Sequence, residues 1–458
     1  MTALSLRRRL RILRGSAIAR SSVLLVVDNV GLAAMGGIST LLAARLWTPA
    51  DVGLVAATVG VLNLLVIVAA IGLPTALVRY LGTSRHPRRL LFEALIVSGS
   101  LAACGLVLIV LLPGHLGVPL ERLHLSLWVL IPCMTLFTLG GVVTTVGDPA
   151  WISRQQVSFM LAKDTIASVV RLALLGILAG TTATGLFLVW VIYGSSAAAI
   201  DITLLIQRVG RRERSQAPTS GSIPSPATSV SAPAKRFGAL RQVLPFALGT
   251  YGAAVAATAP TYLLPTLTAA LVNPRTAAYV SVALQVGYVL TIIPAQTAQA
   301  LLAELARSTS DVVDTTTRAV IGAYTVTLPA AAVLVVGAPY ILLLFGHQYS
   351  VHGTGFVRWL AAGSVFFVFN YVSDVVLLAR HKVRAYAAIN ITGAGIIVVL
   401  VVGALHHGLS WLGPGWFIGQ ALYAAGSALV LTYYGGIAGV GRAAARVPAL
   451  LARRDESS

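Results

Sequence analysis

A chain of 458 residues that is 57% hydrophobic and only 10% charged cannot clothe a water-soluble surface, so the sequence reads as an all-α, polytopic membrane protein. A formal net charge of +19 would point to nucleic acid in a soluble domain. Here the basic residues lie between apolar runs, where they set topology and meet anionic lipid, and nucleic acid is set aside as a partner.

Residues 1–21 carry Arg7, Arg8, Arg9, Arg11, Arg14 and Arg20 among leucines, the pattern of a basic interfacial helix on the cytoplasmic leaflet. A signal peptide fits less well, because the next apolar run is too long and lacks a small-residue cleavage site. Twelve membrane helices are predicted near 22–45, 52–78, 92–112, 127–147, 164–182, 186–206, 243–270, 277–302, 319–345, 356–379, 386–405 and 414–434. They form two six-helix lobes, 22–206 and 243–434, joined by a cytosolic tether over 207–242 whose Ser, Pro, Thr and Ala content cannot build a core. Residues 435–458 are a cytoplasmic tail. The outer loops hold only Arg45, Arg122, Arg275 and Arg358, which places both termini inside. Six helices per lobe then relates the lobes by an axis along the membrane normal. Over 303–318, the Arg307/Asp311 and Asp314/Arg318 spacings predict a short helix on the cytoplasmic surface. All outer loops are too short to fold into a domain.

One stretch recurs. Residues 41–82 turn at Thr48-Pro49-Ala50-Asp51, with Thr48 placed as N-cap, Pro49 at the first helical position and Asp51 near the positive end of the helix dipole. Residues 267–307 repeat the design, aligning Leu46-Trp47-Thr48-Pro49 with Leu271-Val272-Asn273-Pro274. Ala44-Arg45-Leu46, Val52-Gly53-Leu54 and the run Gly72-Leu73-Pro74-Thr75-Ala76-Leu77-Val78-Arg79 complete the pattern. On these residues, over about 20–90, the chain resembles the polysaccharide (Wzx-type, O-antigen) flippases of the multidrug/oligosaccharidyl-lipid/polysaccharide exporter superfamily.

Ionisable groups inside spans are costly, so each is a candidate site. Asp28 lies about two turns into the first helix, on a span that also presents Asn29, Ala33, Gly36 and Thr40 as a small, weakly polar stripe. Arg171 in the fifth helix is the candidate for an anionic headgroup, because a guanidinium stays charged and binds phosphate oxygens in a fork; an ion pair with Asp201 is the alternative. Asp28 has three readings: a pair with Arg171, a proton acceptor, or a solvated carboxylate. In the tenth helix Gly363, Phe367, Asn370 and Asp374 share one face, as the wall of a wet cavity would need. Arg358 marks the outer end of that helix. The seventh helix combines Pro245, Pro260 and Pro265 with Tyr251 and Tyr262, whose rings suit sugar faces and equally suit packing. Cys104 and Cys133 sit in apolar runs, the eight histidines fall in predicted loops, and there is no phosphate-binding Walker loop, so no metal, cofactor or ATPase chemistry is expected.

The resemblance implies a two-lobe exporter of the bacterial plasma (inner) membrane that is not an enzyme. A hydrated cavity would take the glycan and diphosphate of a polyprenyl-linked oligosaccharide, Arg171 and Arg358 would meet the phosphates, and rocking of 1–206 against 243–434 would alternate access. Membrane lipids and the glycosyltransferases or polymerase of the same pathway would be its partners. The rival readings are a drug/cation antiporter of the same superfamily, a membrane glycosyltransferase or polymerase (disfavoured by the short outer loops), and a non-transporting scaffold of envelope assembly.

Overall fold

The computed structural model describes residues 17–81, 84, 86–111, 123, 125–154, 156–215, 238–307 and 312–433. Among them the regular structure is all helical. In chain order the helices are α1 (Ala17–Leu46), α2 (Pro49–Ala69), α3 (Leu73–Tyr80), α4 (Pro87–Leu111), α5 (Leu127–Ser153), α6 (Val157–Ile177) and α7 (Ala183–Ser215). They continue with α8 (Gly238–Leu271), α9 (Pro274–Arg307), α10 (Val312–Phe345), α11 (His347–Ala379), α12 (Val383–His407) and α13 (Leu409–Tyr433). Eleven are long and apolar enough to cross a membrane. The other long helix is α6, which carries Lys163, Asp164 and Arg171.

The chain divides into two compact units, Met1–Trp47 with Thr58–Tyr251 and Thr48–Ala57 with Gly252–Ser458. Within the first, α5 packs on α3, α4 and α7, and α6 packs on α1 and α7. Its core runs from Leu73, Ala76 and Leu77 of α3 through Leu90 and Ala94 of α4 to Val146, Ala150 and Trp151 of α5. Within the second, α11 is the central post, packed on α9, α10, α12 and α13. Exposed apolar side chains such as Val107, Leu108, Val333 and Val336 cover the helices, as contact with lipid requires.

Several expectations are corrected. The predicted second helix, 52–78, is two helices, broken where Ile71 (φ 46°) and Gly72 (φ 68°) adopt left-handed backbone. Gly72 is required there twice over: only glycine takes this φ freely, and a Cβ would overlap the carbonyl oxygen of Ala247 on α8. At the break the carbonyl of Val68 accepts only a long bond from the Ile71 amide, at 3.4 Å, and takes a second from the Tyr251 hydroxyl at 2.8 Å. Tyr251→Phe should therefore cost about 1 kcal/mol of stability, read as a small drop in the melting temperature of the purified protein. The tether is shorter than predicted, since α7 runs to Ser215 and α8 starts at Gly238, where Glu93 of α4 caps the Leu240 amide at 3.1 Å. The remainder of that segment, the basic segment before residue 17 and the tail after 433 lie outside the described residues. In place of a separate surface helix over 303–318, α9 extends to Arg307 and α10 starts at Val312; the Asp314–Arg318 pair is made, while Asp311 lies outside the described residues. His347, His352, His406 and His407 are helical, not in loops, and no His/Cys/Asp/Glu group among the described residues could hold a metal.

The recurring turn is built alike in both copies. Thr48 Oγ1 accepts from the Asp51 amide at 3.3 Å, and Asn273 Oδ1 accepts from the Thr276 amide at 2.8 Å. Within the second unit the first turns of α2 lie against α8 and α9 through Ala57, Ala269 and Ala277, and Thr266 donates to the Ala57 carbonyl at 2.9 Å.

Candidate functional sites

In the first unit, α6 presents a buried face of Lys163, Ala167, Ser168, Arg171 and Leu175, which follows from helical spacing. Lys163 is 1% exposed, and its ammonium reaches Asp148 of α5 at 2.5 Å, Asp164 at 3.3 Å and Asp201 of α7 at 3.3 Å. Those three carboxylates match the three N–H donors of the ammonium. The second oxygen of Asp201 accepts from Trp151 Nε1 at 2.9 Å. Gly147 leaves room for this approach, since a Cβ there would stand 3.2 Å from Asp201 Oδ2. Asp28 of α1 is also 1% exposed and faces Lys163, Asp148 and Asp164, with a side-chain contact to Asp164 and no charged partner of its own among the described residues. Asn29 turns outward and donates to the Leu25 carbonyl of its own helix.

Arg171 does not pair with Asp201, which is taken by Lys163 and Trp151. Its guanidinium is 4% exposed and stacks on Tyr193 at 4.4 Å and Trp190 at 5.2 Å, with Nε unpartnered among the described residues. The pair of Asp28 with Arg171, one of the three readings of Asp28, is likewise not made among the described residues. Lys163, Asp164 and Asp148 were expected at or beyond span ends, and the structure places them inside helices.

In the second unit, α8, α9, α11, α12 and α13 surround a cavity of about 310 Å³. Three residues of the predicted α11 face, Phe367, Asn370 and Asp374, line it together with Tyr262; Gly363 packs instead on Trp416 and Phe417. Two polar strings fix the wall. Tyr423 donates to Asn390 Oδ1 at 2.9 Å, and Asn390 donates to Asp374 Oδ1 at 2.7 Å. Ser427 donates to Asn370 Oδ1, and Asn370 donates to Gln420 Oε1, each at 3.3 Å. Tyr251, serving the helix break in the first unit, is not part of this wall. Arg358 is exposed on α11 and donates from Nε to the Val335 carbonyl at 3.1 Å.

Each unit thus holds buried ionisable groups, and the second also has an aromatic-lined cavity. Solved structures share this fold. The lipid II flippase MurJ in an inward closed conformation aligns with TM-score 0.69 at 8% identity, over 90% of this chain and 87% of that one. An inward-facing multidrug resistance MATE family transporter of the MOP superfamily aligns with TM-score 0.64 at 13% identity, over 90% and 100%. The chain has the fold of the MOP superfamily transporters. A MOP superfamily transporter from Pyrococcus furiosus, described as having a binding pocket of reverse polarity, aligns with TM-score 0.56 at 14% identity, over 92% and 97%. No family model and no curated protein sequence matches the chain. At these identities the MOP fold is what is shared, and the similar structures are transporters, not enzymes.

Proposed function

We propose that the chain is an exporter that carries a polyprenyl-diphosphate-linked oligosaccharide across the bacterial plasma membrane by alternating access, with both termini cytoplasmic. The observation that carries this reading is the cavity of the second unit, where aromatic rings, amides and one carboxylate offer what a sugar loses on leaving water. Arg171 is the proposed contact for the diphosphate: its Nε is unpartnered among the described residues, and a guanidinium is the side chain best shaped for phosphate oxygens. Arg358 is the second. The short outer loops and the basic asymmetry of the sequence support the orientation, and a lipid II flippase among the similar structures supports the class.

A drug/cation antiporter is the second reading. It is favoured by Asp374 in an aromatic cavity and by four carboxylates gathered around one ammonium in the first unit. Reconstituted protein decides between them. Liposomes should flip a fluorescent polyprenyl-diphosphate oligosaccharide, and Arg171→Ala should slow flipping at least about tenfold, the scale of one lost charge-assisted contact. Uptake of an organic cation dye without glycolipid flipping would establish the antiporter instead.

A further inference from the structure

Resting on the glycan-exporter reading, we infer that the cavity of the second unit is a subsite for one sugar ring, that it takes a neutral or amino sugar, and that Asp374 makes it reject an acidic one. Six aromatic residues line the wall: Tyr262, Tyr288, Phe367, Tyr371, Trp416 and Tyr423. Aromatic rings offer faces that match the C–H face of a pyranose. A volume of about 310 Å³ admits a sugar ring with a few waters, the equivalent of roughly ten water molecules in all.

The polar strings decide which atoms are left for a ligand. Asn390 donates to Asp374 Oδ1 and to the Tyr386 carbonyl and accepts from Tyr423, which leaves Asp374 Oδ2 as a free acceptor among the described residues. Asn370 occupies Gln420 Oε1, which leaves the Gln420 amide hydrogens as free donors. Adjacent ring hydroxyls meet both needs, one donating to the carboxylate and one accepting from the amide. An apolar ligand would leave both groups unpaired.

Charge sets the selectivity. Among the described residues the wall contains one carboxylate and no Arg, Lys or His. A uronic acid or a phosphate entering it meets Asp374 with nothing to balance the second negative charge, whereas an amino sugar gains an ion pair. On this reading the diphosphate binds elsewhere, at Arg171.

The test is ligand-observed NMR on the full chain in nanodiscs, with methyl glucoside, methyl glucosaminide, methyl glucuronide and tetraethylammonium as probes. The glucoside and glucosaminide should bind, the glucuronide at least about tenfold more weakly, and Asp374→Asn should bring the glucuronide close to the glucoside. Gln420→Leu should weaken all three sugars and leave their order unchanged, which keeps the inference testable if Asp374→Asn fails to fold. Equal binding of the three sugars, binding of none, or binding of tetraethylammonium alone would overturn it. The exporter reading fails separately: glycolipid flipping without sugar discrimination removes only the subsite, while absence of flipping by the wild type removes the reading.

Discussion

Gly53→Ala should all but abolish accumulation of folded protein. A Cβ on Gly53 would overlap the carbonyl oxygen of Pro274 and stand 2.7 Å from the carbon of that carbonyl and 2.8 Å from the Ala278 nitrogen. All three are backbone atoms of the first turn of α9, so no side chain can swing aside to make room. Overpacking a core costs about 1–3 kcal/mol when side chains can yield; a backbone clash at a helix start belongs at or above the upper end. Ala278→Gly, opposite, removes a buried methyl and adds backbone freedom, a loss of about 1–2 kcal/mol. Fluorescence-detected size-exclusion of the two variants checks the contrast. Gly53→Ala should yield little monodisperse protein and Ala278→Gly a normal peak. A well-behaved Gly53→Ala protein melting with the wild type would show that the helices are not in backbone contact.

That contact explains the recurring motif better than the sequence could. Val52-Gly53-Leu54 and Asn273-Pro274 stand out as pattern in the two copies, and the structure shows one copy's glycine seated on the other copy's proline carbonyl. The motif at Gly72-Leu73-Pro74 is likewise the restart of a broken helix, marked in sequence only by Gly and Pro inside an apolar run. Twelve spans are predicted and eleven helices are long and apolar enough to cross a membrane. These were legible because apolar length alone dictates them, while α6, interrupted by Lys163, Asp164 and Arg171, is not among them. Their ends were not, because a charge inside an apolar run reads as a boundary. Asp148, Lys163 and Asp164 were placed at the ends for that reason, although Trp151 and Ile152 on one side and Val157 and Met160 on the other continue the apolar pattern past them. Of the second site, the α11 face was legible from helical spacing. Asn390, Gln420 and Tyr423 were not, because no local pattern says which faces of α12 and α13 turn toward α11.

The same misread charges carry the other large prediction. Lys163→Met should destabilise the protein by about 3–5 kcal/mol, the usual cost of removing one partner from a buried ionic group. The methionine fills the space, but Asp148, Asp164 and Asp201 lose the ammonium they share, and Asp28, which faces the same cluster, loses its nearest cation. Arg171, two turns along α6, stacks on Tyr193 and Trp190 and makes no ion pair that would replace it. A second variant separates charge from shape. Lys163→Met combined with Asp148→Asn and Asp201→Asn removes two uncompensated charges with the cation, keeps an oxygen for Trp151, and should recover most of the lost melting temperature, because a buried ionic cluster replaced whole is often neutral in stability. Packing loss at residue 163 would instead leave the triple variant as unstable as the single one. Restored melting without restored transport would show that the cluster is needed for movement of the cargo and not only for holding α5, α6 and α7 together.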